Sequence, residues 1–255
     1  MNDMPGILLF SLIAMRMSGF ILLNPVFGRR NIPNIVKAGF ILFLSYHMFL
    51  VSDSRGMTIE VVNSLDYGIL LLKEFSVGFV VGFVMQMFFY ITSYAGGMID
   101  FYMGMSMANI YDPQNNASMP LTGTIFNAMM IMLFFAVDGH LAVLKILMQS
   151  EQIVPYAQIA YTPQSVSLVL EIFKECTVLA VKLSFPILAL ELLGEVGIGI
   201  LMKVIPQINV FIINIQTKVL IGNFLILLLC VPIGYFFSDV VDNMVRTIGQ
   251  IMTWF

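Results

Sequence analysis

Side chains able to bind a metal or transfer a proton are few in this sequence. The two histidines, His47 and His140, are far apart, whereas a zinc site needs three or four ligands close together. The run Asp138-Gly139-His140 could relay protons, because acids and histidines inside a membrane often serve transport. The alternative is that Asp138 and Gly139 mark a helix end or interruption, where they satisfy backbone groups.

Motifs of enzymes are missing from the sequence. It contains no glycine-rich phosphate loop, no nucleophile elbow and no HExxH motif. The two cysteines, Cys176 and Cys230, lie in apolar runs, which supports neither a disulfide framework nor a thiolate metal site. We therefore expect a protein that is not an enzyme and that has no metal site and no cofactor.

Six charged side chains lie in one otherwise apolar stretch, at Glu171, Lys174, Glu175, Lys182, Glu191 and Glu195. A charge at the centre of a membrane helix costs about 2.5 to 3.5 kcal/mol on insertion scales. An apolar residue returns only about 0.3 to 0.6 kcal/mol. The first four charges fall on one stripe of a helix, so they either pair along it and reach towards the interfaces, or face other protein or water. We favour contact with other protein.

The overall composition indicates a membrane protein. Of 255 residues, 59% are hydrophobic and 11% are charged, whereas soluble domains carry about 25% charged residues. A net charge of −3 provides no basic field for nucleic acid, and the apolar content is far too high for a disordered chain. At about 20 residues for each span, the length allows roughly six membrane crossings.

Apolar runs predict where the helices lie. Six long helical segments are expected, at 4–28, 38–52, 75–99, 124–148, 166–193 and 219–238. In the third, Gly78 and Gly82 permit close helix approach. Basic residues between the first two segments place that loop in the cytoplasm and the N-terminus outside. A short amphipathic helix should follow the six segments, with one apolar face formed by Val240, Met244, Ile248, Ile251, Met252 and Phe255.

A polar loop at 104–123 interrupts the apolar helices. Its steps Asp112-Pro113 and Met119-Pro120 are typical of loops. Irregular backbone at membrane depth is tolerated only inside protein or beside an aqueous cavity, so this loop could close a pore. Methionines surround it, and their thioethers either adapt to passing chains or fill a loosely specified core. Ten lie close by: Met85, Met87, Met98, Met103, Met105, Met107, Met119, Met129, Met130 and Met132.

Three blocks of the sequence resemble the FliR family of the bacterial flagellar export apparatus and its SctT relatives in virulence type III secretion. The blocks are 24–39, 112–141 and 191–211. The resemblance implies an all-α, polytopic membrane protein of about six long helices in hairpins, forming one export-gate subunit over 1–255. In such a subunit 1–165 is FliP-like, and 166–255 is a FliQ-like helical hairpin with an amphipathic tail.

The resemblance also implies a function and its partners. Proteins of this kind are structural and gating subunits of the flagellar type III export channel in the bacterial inner membrane and basal body. They assemble with FliP, FliQ and FlhB and conduct unfolded flagellar proteins. Their plug loop would correspond here to 104–120, with Met105, Met107, Ile110, Tyr111, Asp112, Pro113, Asn116, Met119 and Pro120. Inter-subunit polar contacts are expected at Arg16, Glu171, Lys174, Glu175, Lys182, Glu191, Glu195, Gln207 and Asn209.

Other functions stay open at this point. The chain could be the export-gate subunit of a virulence type III system, or a membrane anchor without a pore. It could also be a self-contained proton-coupled transporter using Asp138, Glu171 or Glu191, although the sequence lacks the internal hydropathy repeat that many transporters show. The partner of Arg16 is equally open, since an acid of the same chain or of a neighbouring subunit would serve.

Overall fold

Helices make up most of the chain in a computed structural model that describes residues 4–52, 63–105, 110–112, 117–159, 164–204 and 210–253. The predicted helical fold is confirmed. Two short antiparallel strands, β1 (Ile110–Asp112) and β2 (Ala117–Met119), add to it. The helices are α1 (Met4–Leu23), α2 (Asn34–Val51), α3 (Ser64–Tyr102), α4 (Leu121–Ala136), α5 (Gly139–Ile153), α6 (Gln164–Val204), α7 (Val210–Leu228) and α8 (Cys230–Met252).

Four of these helices, α1, α2, α3 and α6, are long and apolar enough to cross a membrane. The bent pairs α4–α5 and α7–α8 could each form one broken span, so up to six crossings are available. This agrees with the predicted six segments and identifies a multi-pass membrane protein. At 39 and 41 residues, α3 and α6 are about twice the length that one crossing requires.

The two breaks have local causes. Asp138 adopts a left-handed conformation (φ 57°, ψ 22°) between α4 and α5, and its carbonyl accepts the N–H groups of Leu141 and Ala142. The predicted helix interruption is therefore confirmed. The expected continuous helix over 219–238 is wrong, because α7 ends at Leu228 and α8 begins at Cys230. Pro232 explains this break, since its ring has no N–H and collides with the carbonyl four residues earlier.

One compact unit of the fold contains Met1–Met87, Asp138–Ile172 and Asp242–Phe255. Its helices α1 and α3 touch through glycines, as predicted. A methyl group on Gly78 would overlap the carbonyl oxygen of Arg16, and one on Gly82 would come within 2.7 Å of the carbonyl oxygen of Phe20. Only glycine lets the two backbones approach this closely.

The other compact unit contains Phe88–Val137 and Phe173–Val241. Edge-to-face aromatic pairs join its helices, with ring centroids 6.0 Å apart for Phe89 and Phe134 and 5.7 Å apart for Phe126 and Phe237. Both units draw on widely separated parts of the sequence. The division at residue 165, which rests on likeness to FliP and FliQ, stays a prediction.

The amphipathic end of the chain also has the predicted face. The side chains that are buried on α8 include Val240, Met244, Ile248, Ile251 and Met252, and they follow the helical period. The helix itself is longer than the short one expected, at 23 residues. Phe255 lies outside the described residues.

Candidate functional site

The predicted plug segment, 104–120, connects the end of α3 to the start of α4. Part of this segment, expected to be irregular, is a β-hairpin in which Ile110 lies opposite Met119, Tyr111 opposite Ser118, and Asp112 opposite Ala117. The predicted plug residues Met107, Pro113 and Asn116 lie outside the described residues.

The chain leaves α3 through a Schellman turn. Gly104 has a φ of +75°, the N–H of Met105 donates to the carbonyl of Asp100 (2.8 Å), and the N–H of Gly104 donates to that of Phe101 (3.1 Å). This bond pattern with a left-handed glycine is the common helix end. Glycine at position 104 therefore determines where α3 stops and the plug segment begins.

A buried carboxylate joins the two ends of the plug segment. Asp100, on the last turn of α3, accepts both the backbone N–H of Thr122 (3.1 Å) and the Thr122 hydroxyl. Asp100 is 2% exposed and Thr122 is 3% exposed. The first N–H groups of a helix lack partners inside the helix, and Pro120, at the N-cap of α4, makes no side-chain cap. Asp100 supplies the missing cap, and its negative charge suits a helix N-terminus.

Backbone contact between α3 and α4 lies directly beside this carboxylate. A methyl group on Gly96 would overlap the backbone nitrogen of Gly123, and one on Gly123 would come within 2.9 Å of the Pro120 ring. On the same end of α3, Met103 is fully buried and lies against Gly222 of α7. The base of the plug segment is therefore a tightly packed junction of helices. We call the Asp100–Thr122 pair with the Gly96–Gly123 contact the loop base.

A second polar cluster surrounds Arg16, which is completely buried in α1. Its Nε donates to Oε2 of the equally buried Glu74 (2.7 Å), its Nη1 donates to Ser150 Oγ (3.0 Å), and its Nη2 donates to the carbonyl of Val154 (3.1 Å). The open question of its partner is thus answered by an acid of the same chain. Three of its N–H donors have partners, which a buried guanidinium requires.

The second oxygen of Glu74 extends the cluster to the connection after α5. It accepts the N–H of Ala157 (2.9 Å), a residue in the left-handed region with φ of 66°. The guanidinium carbon of Arg16 lies 4.3 Å from the ring centroid of Tyr156, a cation–π distance. Burial raises the pKa of Tyr156, and the positive charge of Arg16 opposes this shift only in part. Among the described residues the Tyr156 hydroxyl has no hydrogen-bond partner.

The first block that resembles the family, 24–39, begins with a hydrogen-bonded turn after α1. Asn24 Oδ1 accepts the backbone N–H groups of Val26 (2.8 Å) and Phe27 (2.9 Å), an arrangement typical of asparagine in turns. Lys37 Nζ donates to the carbonyl of Gly28 (2.8 Å). At least one of the basic groups that suggested a cytoplasmic loop therefore stabilises the turn itself.

The predicted polar contacts on α6 differ in exposure. Glu171, Lys174, Glu175 and Lys182 are all exposed. Glu195 pairs with Lys218 of α7 at 3.0 Å. Glu191 is buried, and within the described part of the chain neither of its carboxylate oxygens has a hydrogen-bond partner. Gln207 and Asn209 lie outside the described residues, so the inter-subunit role of these side chains stays a prediction.

Sequence reasoning missed the acids that hold both clusters together. The uncharged run 75–99 is bounded by Glu74 on one side and Asp100 on the other, and both carboxylates are buried and paired. Their positions at the ends of a long apolar run were the available signal. Among the described residues, no group of three or more His, Cys, Asp or Glu side chains could hold a metal ion.

Known proteins are similar to nearly the whole chain. Residues 7–244 match the family model of bacterial export proteins, family 1. The flagellar biosynthetic protein FliR of Bacillus subtilis (strain 168) is 30% identical over 227 residues, which cover 88% of this chain and 86% of that protein. FliR of Escherichia coli (strain K12) is 24% identical over 94% of this chain and 90% of the length of that protein. Yop proteins translocation protein T of Yersinia pestis is 24% identical over 88% and 86%.

Proposed function

The chain belongs to family 1 of the bacterial export proteins, and we propose that it is a structural and gating subunit of the flagellar type III export channel. It is a component of a protein export apparatus, and flagellar relatives are prominent among its matches. The observation that carries the gating role is the loop base, because it anchors both ends of a polar segment between apolar helices. In this role the chain performs no catalysis.

The plug segment would block the closed channel. Polar, loop-forming residues between long apolar helices support this assignment, since such backbone belongs inside protein or beside an aqueous path. The buried loop base supports it further, because a segment that must resist ion flow needs fixed ends. Unfolded flagellar proteins would pass when the plug segment leaves the path.

FliP, FliQ and FlhB are the proposed partners, in the bacterial inner membrane at the flagellar basal body. Support comes from large apolar side chains that this chain leaves exposed, such as Leu193, Leu220 and Leu227, at 67%, 71% and 76%. Apolar surface on this scale is covered by lipid or by protein. Exposed charges on α6, the helix that carries Leu193, argue for protein over part of that helix, because lipid disfavours charges.

Co-expression with FliP-like and FliQ-like proteins, followed by affinity purification, tests the assembly. We expect a stable complex that contains all three proteins. Recovery of this chain only as a well-behaved monomer, active alone in liposomes, would instead support a self-contained transporter.

Deletion of the plug segment tests the gating role. In the assembled complex we expect the deletion to increase ion leak through the membrane, because nothing then fills the path. The matched control is Lys145→Met, which changes an exposed side chain on α5 and leaves the plug segment intact. An assembled deletion variant with the leak of the unmodified complex would contradict the gating role.

A virulence export gate is the second candidate, because the Yersinia protein is similar over most of the chain. The flagellar system is favoured by the higher identity to the Bacillus protein, 30% against 24%. Complementation separates them. The chain should restore swimming to a strain lacking its flagellar FliR, and should restore secretion less well to a strain lacking the virulence counterpart.

A further inference from the structure

We infer that Asp100 and Thr122 are positioning residues of the plug segment, and that their bond keeps its two ends joined while the channel conducts as well as when it is closed. This inference rests on the proposed function. It adds that the adjoining ends of α3 and α4 stay in contact when the channel opens.

The Asp100–Thr122 bond joins α3 to α4 through a buried charged group. One carboxylate binds two donors of the same residue, a backbone N–H and a hydroxyl, and both residues are buried. Hydrogen bonds to an ionised group are stronger than neutral ones. Separating the pair would leave a charge and a helix N–H without partners in a buried place, so the pair resists opening.

The backbone contact beside the pair also holds α3 and α4 together. A methyl group on Gly96 would overlap the backbone of Gly123, and Gly97 lies against the Pro120 ring. Packed interiors switch between discrete arrangements and do not stretch continuously. Pulling α3 and α4 apart here would therefore break the glycine contact and the buried carboxylate pair together.

Both ends of the plug segment lie close to Asp100 in the sequence or through hydrogen bonds. Its first residue, Gly104, ends the Schellman turn in which the carbonyl of Asp100 takes part. Its last residue, Pro120, lies two positions before Thr122 and accepts the N–H of Thr124 (2.9 Å). Asp100 therefore bonds near both ends of the segment, to Met105 through its backbone carbonyl and to Thr122 through its carboxylate.

Substitutions at the pair test the positioning role in the complex of the full chain with its partners. We expect Asp100→Ala to raise ion leak about tenfold, which corresponds to about 1.4 kcal/mol in the closed state. Thr122→Val, which keeps the N–H and loses the hydroxyl, should raise it less, and Thr122→Ser should restore low leak. The matched control is Thr124→Val, because the exposed Thr124 hydroxyl also bonds at the end of the segment, to the Pro120 carbonyl (3.0 Å).

These variants also separate positioning from general stability. Where Asp100→Ala fails to assemble, the Thr122→Val and Thr122→Ser pair carries the test, because each changes a single group. A merely structural role would lower the yield of complex without changing the leak of the complex that forms. Wild-type leak in assembled Thr122→Val and Asp100→Ala complexes would overturn the inference.

A covalent link tests the claim about the conducting state. The double variant Asp100→Cys/Thr122→Cys is prepared with Cys176→Ala and Cys230→Ala, which removes both native thiols. The two introduced cysteines are oxidised to a disulfide with copper–phenanthroline. Where thiols remain, they are cross-linked with a short bis-methanethiosulfonate. We expect the linked complex to export a flagellar substrate within about twofold of the reduced complex, a small change on the scale where tenfold is 1.4 kcal/mol.

Loss of export on linking, with recovery after reduction, would show that the ends separate and would overturn the inference. Single-cysteine variants given the same reagents control for side reactions. Failure of the unmodified complex to export any substrate would count against the proposed function instead, so the two failures are distinguishable.

Discussion

Breaking the buried Arg16–Glu74 pair should destabilise the protein severely. The perturbations are Glu74→Leu and Arg16→Met, each of which leaves one charge without its partner at a completely buried position. Removal of one member of a buried ion pair costs about 3 to 5 kcal/mol. At about 1.4 kcal/mol for each factor of ten, the folding equilibrium changes by more than about a hundredfold.

The double variant Arg16→Met/Glu74→Leu separates the ion pair from the rest of the cluster. Without either charge, the site loses the desolvation penalty together with the attraction, so it should be clearly more stable than either single variant. Some loss remains, because the Ala157 N–H and the Ser150 hydroxyl lose their partners. An unsatisfied buried group of this kind costs about 1 to 3 kcal/mol.

The assay is unfolding of the purified export complex in detergent, followed by heat and by denaturant for all four chains of the cycle. Lys218→Met and Glu195→Leu form the control cycle, since that pair lies partly at the surface and exposed pairs contribute about 0 to 1 kcal/mol. A Glu74→Leu variant as stable as Lys218→Met would contradict a stabilising role of the buried pair. So would single and double variants whose losses of unfolding free energy simply add.

Three further predictions use matched pairs or a pH series. Gly78→Ala should cost about 1 to 3 kcal/mol through overpacking of α1 on α3, whereas Gly68→Ala, where nothing lies within 4 Å of the added carbon, should be neutral or stabilising by up to about 1 kcal/mol in thermal unfolding. Met244→Asp should sharply reduce the yield of folded chain on size-exclusion chromatography because it buries a charge, whereas the exposed Gln250→Asp should not. Because burial raises the pKa of Tyr156, the folded chain keeps the phenol proton to higher pH than the unfolded chain does. The stability linked to this proton is present below the usual tyrosine pKa of about 10 and falls as the pH rises above it. Tyr156→Phe should reduce that fall in denaturation midpoints measured between about pH 8 and 11, and an unchanged slope would contradict it.

Features that depend on neighbouring residues were predictable from the sequence. The apolar runs indicated the long helices, Asp138 marked a helix interruption, and the helical spacing of Met244 and Ile248 predicted a buried face on α8. Gly78 and Gly82, one turn apart, predicted close helix packing. In each case the cause lies within one or two helical turns.

Features that depend on distant residues were not predictable in the same way. Arg16 and Glu74 are 58 positions apart, and Asp100 and Thr122 are 22 positions apart. Only the packing of whole helices brings them together, and many acids near the ends of apolar runs would have satisfied a local argument equally well. The break before Pro232 is different, because its cause lies in the sequence itself, inside the uncharged run 219–238 that predicts one continuous helix.

The interleaving of the two compact units has a consequence for biosynthesis. One unit is built from Met1–Met87, Asp138–Ile172 and Asp242–Phe255. Translation delivers these stretches in order, so Arg16 can meet Glu74 early and Ser150 later. Met244 and Ile248, which are buried in the finished fold, emerge from the ribosome after every stretch of the other unit. This unit therefore stays incomplete until α8 has been made, and its final packing step takes place after the other unit has been synthesised.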